Sequence, residues 1–281
     1  MKKINFAVNS WVFGPISFDE LAERAKRIGL DGLELNGEPD TEDVAHMKEV
    51  LTKTGLKPIS VCGTFSMEER AFNHSHEEMR KKAVEYGKKL VDMAKFVGSD
   101  RVLLVPSMVN RLTYYSDRQT DWNRSVESIR EVASYAKENN IKVMLECVNK
   151  YEVNLVYSAN DGIQMAKEIG TGNVGLVTDT FHMQLEEKDG IANAIRSAGK
   201  EYVMHQHLGD NNREVPGMGC MDWKEIFMAL RDIDFEGAVS FEPLPKHLTP
   251  EEINAGMYDP DELEENMLKS ITMLKSIMEL L

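Results

Sequence analysis

The chain has 281 residues, 42% of them hydrophobic, with 33 Lys+Arg against 47 Asp+Glu for a formal charge of -14; that length fits one large α/β barrel or two small domains, and with no low-complexity linker a single domain over residues 1–281 is expected. The acidic balance argues against a nucleic-acid partner, whose phosphates call for a basic face, no apolar run approaches the roughly 20 residues of a membrane span, and Met1–Phe6 is not followed by an apolar stretch of signal-peptide length. Cys62, Cys147 and Cys220 form neither a CxxC pair nor an even framework, which fits a reduced, cytoplasmic chain.

One grammar then repeats along the chain: a short apolar run, a polar loop, a helical pattern that often closes on glycine. Ile4–Val8 is the first strand, and Ser17-Phe18-Asp19-Glu20 has capping-box spacing before a helix that turns Leu21, Ala22, Ala25 and Ile28 inward and stops at Gly29. Leu33-Glu34-Leu35 is the second strand, residues 41–54 a helix closed by Gly55, and Lys57–Val61 the third strand. A helix over 77–97 stops at Gly98 before the fourth strand, Arg101–Val105. Ser107–Asp121 is a long polar segment of the kind that forms lids and binding loops, with Tyr114, Tyr115 and Trp122 near it. Val126, Ile129, Val132 and Ala133 mark a helix before the fifth strand, Ile141–Glu146; a helix over 160–169 ends at Gly170 before the sixth, Val174–Thr178. Ile191, Ala194 and Ile195 mark the helix before the seventh strand, Tyr202–Gln206, and a helix capped by Asp222 precedes the eighth, Ala238–Phe241. A last helix carries Leu263, Met267, Ile271, Leu274 and Met278 at three- and four-residue steps. Alternating strands and helices predict a parallel sheet closed as a (β/α)₈ TIM barrel, with a doubly wound open sheet as the other candidate.

Four of these strands end on a metal-capable side chain: Glu146, Asp179, His207 and Glu242. In a barrel all strand ends share one mouth, where active sites sit, whereas an open sheet could not bring the four together. A carboxylate after a strand is commonly only a solvated charge or a helix cap, but four strand ends matching one site carry more weight than any one of them. Three carboxylates and an imidazole are an oxygen-rich set that suits Mn²⁺, Co²⁺ or Mg²⁺, with Zn²⁺ also admissible. His205 and His207 lie on the same face of an extended strand; His207, nearer the mouth, is the better ligand, and His205 is expected in the core or behind the ligands. His182 reads equally as a loop histidine or a substrate contact, Arg213 as a sugar-hydroxyl anchor or a solvated loop residue, and Cys147 as a structural residue pointing away from Glu146.

Leu145-Glu146-Cys147-Val148-Asn149-Lys150-Tyr151-Glu152, Asp179-Thr180-Phe181-His182-Met183, His205-Gln206-His207-Leu208-Gly209-Asp210-Asn211-Asn212-Arg213 and Phe241-Glu242-Pro243 resemble the ketose 3-epimerases, the tagatose and psicose epimerases of the xylose-isomerase-like barrel superfamily. Asp121–Arg130 resembles the same family's approach to strand five, and the likeness is concentrated between residues 120 and 243. It implies one divalent metal per chain, Mn²⁺ first, held by Glu146, Asp179, His207 and Glu242. It implies that Glu146 and Glu242 also move protons on opposite faces of a keto-sugar through a metal-stabilised enediolate, with Glu152, His182 and Arg213 as substrate contacts. Lys150 stands where these epimerases usually carry arginine, and both Phe6–Trp11 and Ser107–Asp121 depart from their usual pattern; these segments shape the pocket, so the reaction class transfers more firmly than the substrate.

The same superfamily holds C-glycoside deglycosidase catalytic subunits, carbon–carbon lyases that open 3-oxo-C-glycosides by the same proton abstraction with a small partner subunit; that is the alternative reading. An apurinic endonuclease would need a histidine-rich multi-zinc site and a basic face, which seven histidines and a charge of -14 oppose. A non-catalytic sugar-binding barrel would have no use for paired glutamates among metal ligands. A homo-oligomer is expected, or a hetero-oligomer with the small subunit under the lyase reading.

Overall fold

A computed structural model describes residues 4–244 and 248–281. Eight parallel strands close into one barrel in the order β1 to β8: Asn5–Asn9, Gly32–Gly37, Lys57–Gly63, Arg101–Leu104, Lys142–Glu146, Val174–Asp179, Val203–Leu208 and Ala238–Phe241. The closed sheet is the expected TIM barrel and removes the open-sheet alternative. Closure is made by β1 against β8, with Asn5 beside Ala238 and Val8 beside Phe241. Phe6 stacks on Phe241 and on Phe227 at centroid distances of 6.5 and 6.4 Å, sealing the seam where the chain ends meet.

The outer layer contains α1 (Phe18–Ile28), α2 (Val44–Thr54), α3 (Glu77–Val97), α4 (Arg118–Glu138), α5 (Ala159–Ile169), α6 (Thr180–Glu186), α7 (Ile191–Tyr202), α8 (Trp223–Asp232), α9 (Pro250–Asn254) and α10 (Pro260–Glu279). The apolar faces read from the sequence are the buried ones: Leu21, Ala22, Ala25 and Ile28 of α1, and Leu263, Met267, Ile271 and Leu274 of α10, whose Met278 is only partly buried. Burying each large side chain of this kind stabilises the fold by about 1.5–3 kcal/mol. Gly29, with φ at +82°, ends α1 in a left-handed turn that only glycine adopts without strain, and its N–H donates to Ala25 O.

Three local readings change. The polar segment after β4 is shorter than Ser107–Asp121, because Asp117 caps α4 by accepting from Thr120 N at 3.0 Å and the helix begins at Arg118. Asp121 is therefore a buried helical residue, and its carboxylate accepts from Tyr115 N at 2.7 Å and Ser116 N at 3.2 Å, folding the loop back onto the helix. Tyr202 closes α7 and β7 starts one residue later. Helix α6 starts directly from β6, because Asp179 accepts from Phe181 N at 2.7 Å and His182 N at 3.2 Å. Among the described residues no helix is long and apolar enough to cross a membrane.

Candidate active site

The four residues picked from the strand ends meet at the barrel mouth. One ligand atom from each of Glu146, Asp179, His207 and Glu242 lies within 4.8 Å of the others, and all four side chains are buried. His207 Nδ1 is the centre of the group, 2.8 Å from Glu242 Oε2, 3.1 Å from Glu146 Oε1 and 3.8 Å from Asp179 Oδ2. The sheet produces this directly, because Asp179 and His207 are register partners across β6 and β7.

Behind the cluster stands a carboxylate to which no function attached in the sequence. Glu34 is fully buried and takes four donors: His207 Nε2 at 2.7 Å and Asn9 Nδ2 at 3.0 Å on Oε1, His205 Nε2 at 3.0 Å and Ser60 Oγ on Oε2. The one available signal was a carboxylate between two leucines in strand β2, where alternation sends the leucines outward and the glutamate into the barrel. His205 lies below the cluster, between Glu34 and Ser240 Oγ (2.9 Å), outside the group of four. Cys147 points outward, packed so closely on Gly162 that a Cβ there would lie 2.7 Å from its sulfur.

Charge is crowded here. Burial pushes Glu146 up to about 7, with the hydrogen bond from His207 opposing and the neighbouring Glu242 adding to the rise. Burial and Glu242 push Asp179 up to about 6. Burial also penalises charge on His207, Glu34 and Glu242, but the attraction between the imidazole and the two carboxylates outweighs it: His207 is held well above the usual imidazole range, Glu34 well below the usual carboxylate range, and Glu242 below it. Three carboxylates facing one imidazole nitrogen whose partner nitrogen is tied to Glu34 form a donor set that fits a divalent cation. Such an ion would take the oxygens and Nδ1 and relieve the repulsion among the acids.

The three residues expected to touch substrate form a second, connected group. Glu152 Oε1 accepts from Arg213 Nη1 at 2.9 Å and from Asn149 Nδ2 at 2.8 Å, and Asn149 Nδ2 also lies 2.8 Å from His182 Nδ1. Asn149, unassigned from the sequence, is thus the link between them. Its amide donates to His182 Nδ1 and so places the ring proton on Nε2. His182 lies in α6 and not in a loop; burial, with Arg213 and His207 nearby, keeps its pKa well below the usual range, so the ring is neutral. Arg213 adopts a left-handed backbone at φ +63°, and its guanidinium sits 4.7 Å from the Phe181 ring centroid. Its Nε is buried without a partner among the described residues, a donor left for something else. Lys150 is an exposed rim residue, 3.9 Å from Glu186.

Comparison with known proteins bears on the fold and the family. The D-psicose 3-epimerase of Ruminiclostridium cellulolyticum is 46% identical over 127 residues, which span 45% of this chain and 43% of that relative's length. The L-ribulose 3-epimerase of Methylomonas sp. is 26% identical over 260 residues, 88% of each chain. The crystal structure of the D-psicose 3-epimerase with D-tagatose from Clostridium cellulolyticum H10 superposes with a TM-score of 0.87 at 26% identity, covering 98% of this chain and 99% of that one. A family model described as a xylose isomerase-like TIM barrel matches residues 22–277, taking in strands β2 to β8 and every residue of the mouth cluster. Closed barrel, shared mouth and matched length converge, and the chain belongs to the xylose isomerase-like TIM barrel family.

Proposed function

We propose that this protein is a divalent-metal-dependent ketose 3-epimerase. The observation that carries the reading is the meeting of Glu146 and Glu242 on one imidazole nitrogen, His207 Nδ1, from strands on different sides of the barrel mouth. The names of the relatives support epimerisation of a keto-sugar over the carbon–carbon lyase alternative.

Glu146, Asp179, His207 and Glu242 would hold the cation, Mn²⁺ in the first place. When bound, the cation polarises the carbonyl and the adjacent hydroxyl of the ketose and acidifies the C–H between them. One of the two glutamates removes that proton, giving the enediolate; the other returns a proton from the opposite face and inverts the carbon. Burial keeps both carboxylates out of bulk water, which strengthens each interaction at the reacting carbon. Neutral His182 offers its Nε2–H to a sugar oxygen, and Arg213, held by Glu152 and Phe181, offers Nε–H to another. Asn149 keeps these contacts in register with one another. The three cysteines are free thiols, in keeping with a cytoplasmic enzyme, and a homo-oligomer belongs to the same reading.

The test is incubation of the metal-loaded protein with ketohexoses and ketopentoses in D₂O, followed by proton NMR. Deuterium at C3 with inversion is the expected result. Turnover of a ketose with that C–H intact would defeat the mechanism, and aglycone release from 3-oxo-C-glycosides without epimerisation would favour the lyase.

A further inference from the structure

The carboxylate of Glu242 is gripped from two sides. Oε2 lies in the ligand cluster, 2.8 Å from His207 Nδ1. Oε1 accepts from Asn9 Nδ2 at 3.0 Å and from Trp11 Nε1 at 3.2 Å. Asn9 is fully buried, and the same amide nitrogen donates to Glu34 Oε1 at 3.0 Å. A side-chain amide nitrogen carries two hydrogens, so each glutamate receives one and none is left. The flipped amide would aim its carbonyl lone pairs at two carboxylates, so the charges around it fix which face it shows. Asn9 Oδ1 is buried with no partner among the described residues, which means the two acids and not the carbonyl set the orientation of this side chain. The sheet makes the contact local: Val8 pairs with Phe241 across β1 and β8, which sets Asn9 beside Glu242.

We propose that Asn9 is a positioning residue for Glu242, tying its Oε1 to the Glu34–His207 pair so that the proton-carrying carboxylate and the imidazole keep one fixed relation. Trp11, in the short 3₁₀ turn Ser10–Phe13 that follows β1, supplies the second donor to the same oxygen. With Oε1 restrained, Oε2 is the oxygen presented to the cluster. Without Asn9 the carboxylate can rotate about its last torsion and exchange its oxygens. This inference rests on the reading of Glu242 as ligand and proton carrier.

The experiment is a double-mutant cycle on Mn²⁺ affinity, read by electron paramagnetic resonance of free Mn²⁺, using the full chain and its Asn9→Ala, Glu242→Ala and doubly substituted forms. Circular dichroism and melting temperatures confirm folding. Asn9→Ala is expected to weaken Mn²⁺ binding about 10-fold beside an intact Glu242, and less than about twofold once Glu242 is gone, because the two act through one contact. On a ketose substrate the same variant lowers kcat about 10–100-fold with KM within about twofold. Trp11→Phe, which keeps an aromatic ring and loses the indole N–H, gives a smaller loss in the same direction. Should Asn9→Ala not fold, Asn9→Ser, which cannot reach both glutamates, carries the same cycle. An equal loss in both backgrounds, or no loss with normal Mn²⁺ binding by the unsubstituted chain, overturns the role of Asn9 alone. Failure of the unsubstituted chain to bind any divalent cation overturns the functional reading and this inference with it.

Discussion

His207 Nε2 lies 2.7 Å from Glu34 Oε1, and both side chains are wholly withdrawn from solvent. The pair decides the chemistry of the mouth, because a nitrogen committed to Glu34 keeps its proton and leaves Nδ1 for the carboxylate cluster. Glu34→Gln removes the charge that favours this tautomer while keeping the shape. Divalent-metal affinity is expected to fall about 10–100-fold, measured by calorimetric titration; an affinity within twofold of the unsubstituted protein would contradict the orienting role.

Asp179→Asn and Arg213→Ala should separate the two halves of the site. Asparagine still caps α6 as well as aspartate does, so the fold is retained, but the proposed metal site loses a charged donor, and metal content and activity are expected to fall together. Arg213→Ala leaves the ligand cluster intact and is expected to lower kcat/KM while one equivalent of metal remains. Elemental analysis alongside kinetics checks both, and loss of metal from Arg213→Ala would show that the roles are wrongly divided.

Metal binding should be linked to proton release. In the cation-free protein Glu146 titrates near 7 and Asp179 near 6, both raised by burial. Carboxylates raised in this way favour the cation-free fold most below their ordinary range, and that contribution is lost as pH rises through 6 and 7. A cation reverses the preference, since it binds the ionised acids and an unprotonated Nδ1. His207 is itself held well above the usual imidazole range, so its proton must also leave. Affinity is therefore expected to climb across pH 6–8, with proton release visible as a buffer-dependent heat in calorimetry. A flat profile would refute the linkage.

The seam between the first and last helices is tied by one buried arginine and its acidic partners. Arg24 Nη1 donates to Asp261 at 2.7 Å and to Glu264 at 2.8 Å, joining α1 to α10, and Arg27 adds a second contact to Glu264 at 2.6 Å. The hydrogen bond from Arg27 holds Glu264 below its ordinary pKa against a smaller burial penalty. Its stabilisation is thus complete above the ordinary carboxylate range and is lost as pH falls through the lowered value. Glu264→Gln is expected to cost about 2 kcal/mol at pH 7, with the difference closing below about pH 4. Urea unfolding at the two pH values measures it, and an equal gap at both would rule out the ionic origin.

The sequence by itself determined the repeating units and the ends of the strands. Helical and extended periodicities, capping residues such as Ser17 and Asp222, and terminal glycines act within a few residues, so they can be read along the chain. For the same reason Glu146, Asp179, His207 and Glu242 were legible: each stands where an apolar run stops, and parallel strands in a closed sheet stop at one mouth. Tertiary structure alone decided what lies behind those residues. Glu34 reaches His207 across 173 positions of sequence, and Asn9 reaches Glu242 across 233. Asn149 joins Glu152 to His182 only because α6 springs straight from β6. Such contacts are set by closure of β1 on β8 and by which side chains the barrel turns inward at the same height. No local pattern encodes a meeting between residues whose only relation is the curvature of the sheet.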